Sequence, residues 1–188
     1  MPFQFDSLHS EPYRVVGRLW FAQFVRYVPL HCPSDCADPK PILSQAQLRA
    51  LHAFELWDEM LSVKLGRASF AAFAKAHQLD PRNTPKIESS EEIWNHLEPL
   101  SVEIDEASSD FRSYLRVRLR SSWGNEGLLE WVVRDDRDLL WVGPDEANSI
   151  ERLESRKVRA NNFAFVRQVV LGRRNPSRRP GLRSLQIR

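Results

Sequence analysis

The chain has 188 residues, 42% hydrophobic and 28% charged, which suits a globular domain whose core needs neither metals nor disulfides. No window approaches the roughly 18 consecutive apolar residues of a membrane-spanning helix, and the start, "MPFQFDSLHSEPYR", lacks the basic and apolar run of a secretory signal. A cytoplasmic protein is therefore expected. The net charge of +2 conceals an asymmetry. From Arg152 to Arg188 there are eleven Lys and Arg against one acid, Glu154, while the rest carries sixteen basic and twenty-four acidic residues.

Residues 13–28, "YRVVGRLWFAQFVRYV", are rich in β-branched and aromatic types and predict a strand or hairpin. Val16, Trp20, Phe24 and Tyr27 also fit part of a helical template. The Pro- and Asp-dense "HCPSDCADPKP" reads as a loop. Its Cys32 and Cys36 with His31 offer half a zinc site, but a closed site takes four ligands, usually as two pairs, and no second pair exists. Two reduced thiols are the plainer alternative, and no metal or cofactor is expected.

Ser44 with Gln47 forms a capping box, and Leu43 with Leu48 has the spacing of a hydrophobic staple. A helix should follow, carrying Ala50, Phe54, Trp57 and Leu61 on one stripe and stopping at Gly66. A second helix, "SFAAFAKAH", sets Phe70, Phe73 and His77 on one side. Ser89 and Glu92 make another capping box before a short helix with Ile93, Trp94 and Leu97, limited by Pro99.

The period then changes to two. Val102 and Ile104 alternate with Glu103 and Asp105; Leu115, Val117 and Leu119 alternate with Arg116, Arg118 and Arg120. Both are half-exposed strands. "LLEWVV" and "LLWVG" are apolar on both sides, as in strands near a sheet centre or under helices, and "RDDRD" joins them. "PDEANSIERLESRKVRAN" can open another helix, with acids in its first turn and cations in its last. The expected fold is α+β: an antiparallel β-meander covered on one face by helices. Residues 1–171 form a single domain, its helical part about 44–98 and its strand-rich part about 99–143. Residues 172–188 are a basic tail expected to be disordered.

The candidate chemistry is polar and diffuse. Arg116, Arg118 and Arg120 could bind phosphate or carboxylate, or pair across strands with Glu103 and Asp105. Glu126, Asp135, Asp136, Asp138, Asp145 and Glu146 could include an acid–base pair, or be turn acids bonded to nearby backbone; as a surface they suit a basic partner. No nucleophile elbow, metalloprotease helix, Walker loop or dinucleotide fingerprint is present. The basic tail can neutralise phosphates but has no aromatic residue after Phe165 for stacking. Trp123, Trp131 and Trp141 read as structural residues that fill the sheet and anchor a turn.

The stretch "IWNHLEPLSVEID…FRSYLRVRLRSSWGNEGLLEWVVRDDRDLLWVG", residues 93–143, resembles a bacterial domain family of uncharacterised function. Its members run from a short helix into a strand, then a strand ending in W-x-x-E-H-G-L, then a strand, a turn and a final V-G. Trp123, Glu126, Gly127 and Leu128 match; the His between Glu and Gly is missing, since Glu126 runs straight into Gly127. Such domains often lie beside polymorphic or type VI secretion toxins, and many are presumed immunity proteins. The resemblance implies a non-catalytic, cytoplasmic immunity protein that binds and neutralises a cognate toxin domain. Glu126, Asp135, Asp136, Asp138, Arg116, Arg118 and Arg120 are the candidate contacts. The alternative is a nucleic-acid-associated protein that uses the Arg-rich tail.

Overall fold

The computed structural model describes residues 6–11, 14–33, 43–105, 112–123, 127–135, 137–146, 149–155 and 162–165. The elements run β1 (Asp6–Glu11), β2 (Arg14–Phe21), β3 (Arg26–Pro33), α1 (Gln45–Glu55), α2 (Glu59–Leu79), β4 (Leu97–Asp105), β5 (Tyr114–Ser121), β6 (Leu128–Arg134), β7 (Asp138–Pro144) and α3 (Ile150–Glu154). The strands form one seven-stranded sheet in chain order. Every neighbouring pair is antiparallel except β3–β4, where Leu30 and Val102, then His31 and Glu103, pair in parallel. The fold is α+β.

Residues 13–28 contain a hairpin rather than a helix. Val25 turns between β2 and β3 at φ 51, and β3 extends through His31, Cys32 and Pro33, residues expected in a loop. Their reach is set by register, since Val15 pairs with Cys32 and Val16 with His31.

The helices break elsewhere than expected. The Ser44 capping box forms, but α1 ends at Glu55 and α2 runs straight through Gly66. The break falls at Asp58 because that residue caps a new helix: its Oδ1 accepts from the Leu61 N–H at 2.7 Å, satisfying one of the first-turn donors. Gly66 instead permits close packing. A Cβ there would meet the Ser90 carbonyl oxygen and Trp94 Nε1 at 3.3 Å. Leu48 remains exposed. Glu92–His96 form a 3-10 turn, and Leu97, expected on a helix, starts β4. Pro99 sits at an irregularity in the β4–β5 register, which accommodates its missing donor.

The main core lies between the sheet and α1–α2. Leu19, Val28, Leu30, Val102, Val117 and Trp131 face it from the strands, and Leu51, Leu61, Leu65 and Phe73 from the helices. Trp131 is fully buried, 5.8 Å from Trp94, and donates Nε1–H to Ser69 Oγ at 3.1 Å. On the opposite face, Tyr114, Val132 and Trp141 form a second cluster with Ile150 and Leu153 of α3. Trp131 and Trp141 thus anchor opposite sides of one sheet. β6 and β7 are apolar on both sides because both their faces are covered, not because they are central: β7 is an edge strand.

Candidate functional site

The sheet face away from α1 and α2 carries the polar residues. Alternation puts Arg116, Arg118 and Arg120 on this side of β5, and register sets acids opposite them: Glu103 pairs with Arg116, Glu98 with Arg120 and Glu130 with Arg118. The result is a ladder of ion pairs. Arg116 meets Glu130 at 2.7 Å, Arg118 meets Asp145 at 3.3 Å and Glu103 at 3.7 Å, and Arg120 meets Glu98 at 3.1 Å. Glu98 also holds Arg26 at 3.2 Å, joining β3 to β4.

Access along this row is graded. The side chains of Arg116, Arg118 and Arg120 are 8%, 42% and 63% exposed. A partner can therefore reach Arg120 and part of Arg118, but not Arg116. The row begins beneath the α3 cluster and ends in solvent.

Glu130 is fully buried. Burial raises its carboxyl above the usual range, while the hydrogen bond and charge of Arg116 oppose that rise. Among the described residues its Oε2 has no hydrogen-bond partner, and Arg118 Nε, 3.3 Å from Asp145, makes an ion pair there without hydrogen-bond geometry.

The described acidic turn residues Asp135 and Asp138 are bonded to neighbouring groups, although the Asp138 side chain is 48% exposed. Asp135 adopts φ 55, a left-handed conformation that Asp tolerates. Its Oδ1 accepts from the Ser113 N–H at 3.1 Å and from the Ser113 hydroxyl at 3.2 Å. Asp138 binds Arg134 at 2.6 Å, and Arg134 also binds Glu154 at 3.0 Å. Tyr114 donates its hydroxyl to the same Glu154 at 2.9 Å. Its phenol is pushed up to about 12, first by burial and then by that carboxylate. This network fastens α3 to the end of β5 and β6. Glu126 and Asp136 lie outside the described residues, as do Cys36, Asp105's side chain and the tail at 172–188.

Beside Glu126, Gly127 takes φ +61, and a Cβ there would lie 3.1 Å from the Ser121 carbonyl oxygen. Glycine is required at that turn on both counts. Trp123 is buried edge-on against Phe73, ring centroids 5.6 Å apart. Cys32 is buried. Among the described residues no group of three or more His, Cys, Asp or Glu stands close enough to hold a metal ion, and no helix is long and apolar enough to cross a membrane.

The structure adds a group that sequence reading missed. On the same face, Trp20 of β2 pairs with Tyr27 of β3, ring centroids 5.1 Å apart and edge-on. The Arg18 guanidinium lies 5.9 Å from the Tyr27 ring centroid. Trp20 is 37% exposed, high for a tryptophan on a packed sheet. Its spacing with Phe24 and Tyr27 fits part of a helical template, but the β2–β3 pairing sets it on a strand and shows which side of the sheet it occupies.

The family described as Domain of unknown function (DUF6985) matches residues 6–149. The chain belongs to this family. The DUF6985 match spans all seven strands together with α1 and α2, and stops at Ser149, which caps α3 with its hydroxyl. No curated protein and no solved structure matches the chain.

Proposed function

We propose that this DUF6985 protein is a cytoplasmic immunity protein that binds and neutralises a cognate bacterial toxin, of the polymorphic or type VI secreted kind, without catalysing a reaction. The observation that carries the reading is the state of its polar face. The buried carboxylate there, Glu130, is sealed from solvent and held by Arg116 at 2.7 Å, so no substrate reaches it. The exposed end of the same face presents Trp, Tyr and Arg side chains, the types that dominate binding energy at protein interfaces. They stand on a sheet braced by two buried tryptophans, so little ordering cost accompanies binding. The resemblance of residues 93–143 to immunity domains points the same way.

Sequencing the genes adjacent to this one and co-expressing the chain with any secreted toxin domain found there tests the reading. Growth is restored, and the two purified proteins form a stoichiometric complex. Continued toxicity with no complex, or turnover of a substrate by the isolated chain, refutes it.

A second reading rests on charge. Eleven Lys and Arg against one acid from Arg152 onward favour phosphate contacts. Deleting residues 172–188 abolishes salt-sensitive DNA or RNA binding on this reading, and leaves toxin neutralisation intact on the first.

A further inference from the structure

β7 is an edge strand, and its outer side is covered by the chain itself. The Asn162 side chain meets it as a neighbouring strand would. Nδ2 of Asn162 donates to the Leu140 carbonyl at 2.8 Å, and Oδ1 accepts from the Val142 N–H at 3.2 Å. The next residue, Phe163, donates its own N–H to the Val142 carbonyl at 2.7 Å. An amide side chain can donate and accept at once; a carboxylate cannot. The same Oδ1 accepts from the Ala164 N–H at 3.0 Å, closing a local turn. Phe163 and Ala164 pack against the main core, and the Lys75 ammonium of α2 lies 5.8 Å from the Phe163 ring centroid. Pro144, at the end of β7, has no N–H to offer. Asn162 and Phe163 lie beyond Ser149, where the family match stops.

Uncovered, β7 would be a hazard. Leu139 and Val142 belong to the main core and Trp141 to the cluster on the opposite face. The strand is therefore apolar on both sides, and an edge of that kind recruits another strand. A second copy of β7 is self-complementary to it. Antiparallel pairing about a two-fold axis at Trp141 sets Leu140 against Val142 of the copy, where facing residues exchange N–H and C=O bonds. Three of the groups needed are the ones that Asn162 and Phe163 hold: the Leu140 carbonyl, the Val142 N–H and the Val142 carbonyl. Such pairing would also continue both apolar layers across the axis. We infer that Asn162 and Phe163 form an edge guard that keeps β7 from pairing with a second copy of this chain. The inference is independent of the immunity reading.

The test uses the full chain. Asn162→Ala removes the side-chain bonds to Leu140, Val142 and Ala164. Asn162→Asp keeps the volume, loses the donor and sets a carboxylate against the Leu140 carbonyl. Circular dichroism establishes folding, and Asn162→Asp carries the test if Asn162→Ala does not fold. Sedimentation over a concentration series finds a monomer for the wild type and a concentration-dependent dimer for the variants. Hydrogen exchange locates the contact. The Val142 amide is protected at every concentration in the wild type. In the dilute variants it exchanges about 5- to 10-fold faster, the loss of one net hydrogen bond, and it regains protection as the dimer forms. Variants that stay monomeric while this amide speeds up overturn the second copy as occupant. Open-ended polymers assign pairing of β7 with the opposite edge, β1, and also overturn it. Free exchange of the Val142 amide in the monomeric wild type overturns the guard itself, whether or not either variant folds.

Discussion

Arg116 and Glu130 sit diagonally on adjacent strands and meet at 2.7 Å with less than a tenth of either side chain exposed. Removing one partner leaves the other charged and buried. Glu130→Ala or Arg116→Ala should each cost about 3–5 kcal/mol. Replacing both, as in Arg116→Met with Glu130→Leu, recovers most of that loss, because the desolvation of both ions is then relieved together. Urea unfolding of the four proteins closes the cycle; additive losses would show that the pair is not coupled.

The same carboxyl gives a pH signature. Its folded value lies above the ordinary 4.5 because burial disfavours the charged form. The folded protein therefore holds the proton more tightly than the unfolded chain. That contribution to stability is full below 4.5 and is lost as pH rises through the folded value. Over that window the wild type loses stability relative to Glu130→Gln, and denaturation of both proteins across a pH series measures the difference. Parallel curves would mean that the burial of Glu130 carries no penalty.

Tyr114 extends the argument to alkali. With its phenol pushed to about 12, it ionises later than a free tyrosine at 10.0, and the stability tied to its proton persists below that value and fades as pH climbs toward the folded one. Tyrosinate absorbance of the native protein shows a late component that Tyr114→Phe removes. The substitution also takes a hydrogen bond from Glu154 and should cost about 1 kcal/mol, with α3 the first segment to lose amide protection.

Gly66 is a packing residue. Gly66→Ala gains helix propensity of about 1 kcal/mol but places a Cβ 3.3 Å from the Ser90 carbonyl oxygen and Trp94 Nε1, so its net effect is near zero. Gly66→Val adds methyl groups where the turn cannot withdraw and destabilises by about 2 kcal/mol. Thermal melts rank the pair, and an equal, stabilising effect of both would refute the close approach.

Local signals in the sequence carried much of the fold. Ser44 and Gln47 announced α1, and the strict alternation around Arg116, Arg118 and Arg120 announced β5 and one acid that faces it, Glu103, whereas Asp105 pairs with Tyr114 and the facing acids Glu98 and Glu130 gave no signal. Signals that depend on partners distant in the chain were silent. Nothing local distinguishes an Asp that caps α2 from one in a loop, so the helix break was assigned to Gly66. β1 has no distinctive pattern, and the parallel pairing of β3 with β4 joins segments on either side of both long helices. The site was legible only in part. Residue type and spacing identified the arginines, but not their graded access, because burial of Arg116 depends on the whole sheet face. Trp20 drew no notice as a surface residue because spacing cannot tell which side of a sheet a strand residue occupies until its neighbour is known.

That parallel seam has a kinetic consequence. β1–β3 and β4–β7 are two antiparallel sets whose internal pairings join neighbouring stretches of chain, whereas contact between Leu30 and Val102 requires ordering everything between them. Loop-closure entropy makes such a contact slow to form. Refolding should therefore pass through two preassembled halves that meet late. In the native state, amides at the junction of β3 and β4 exchange with solvent through openings that leave each half intact.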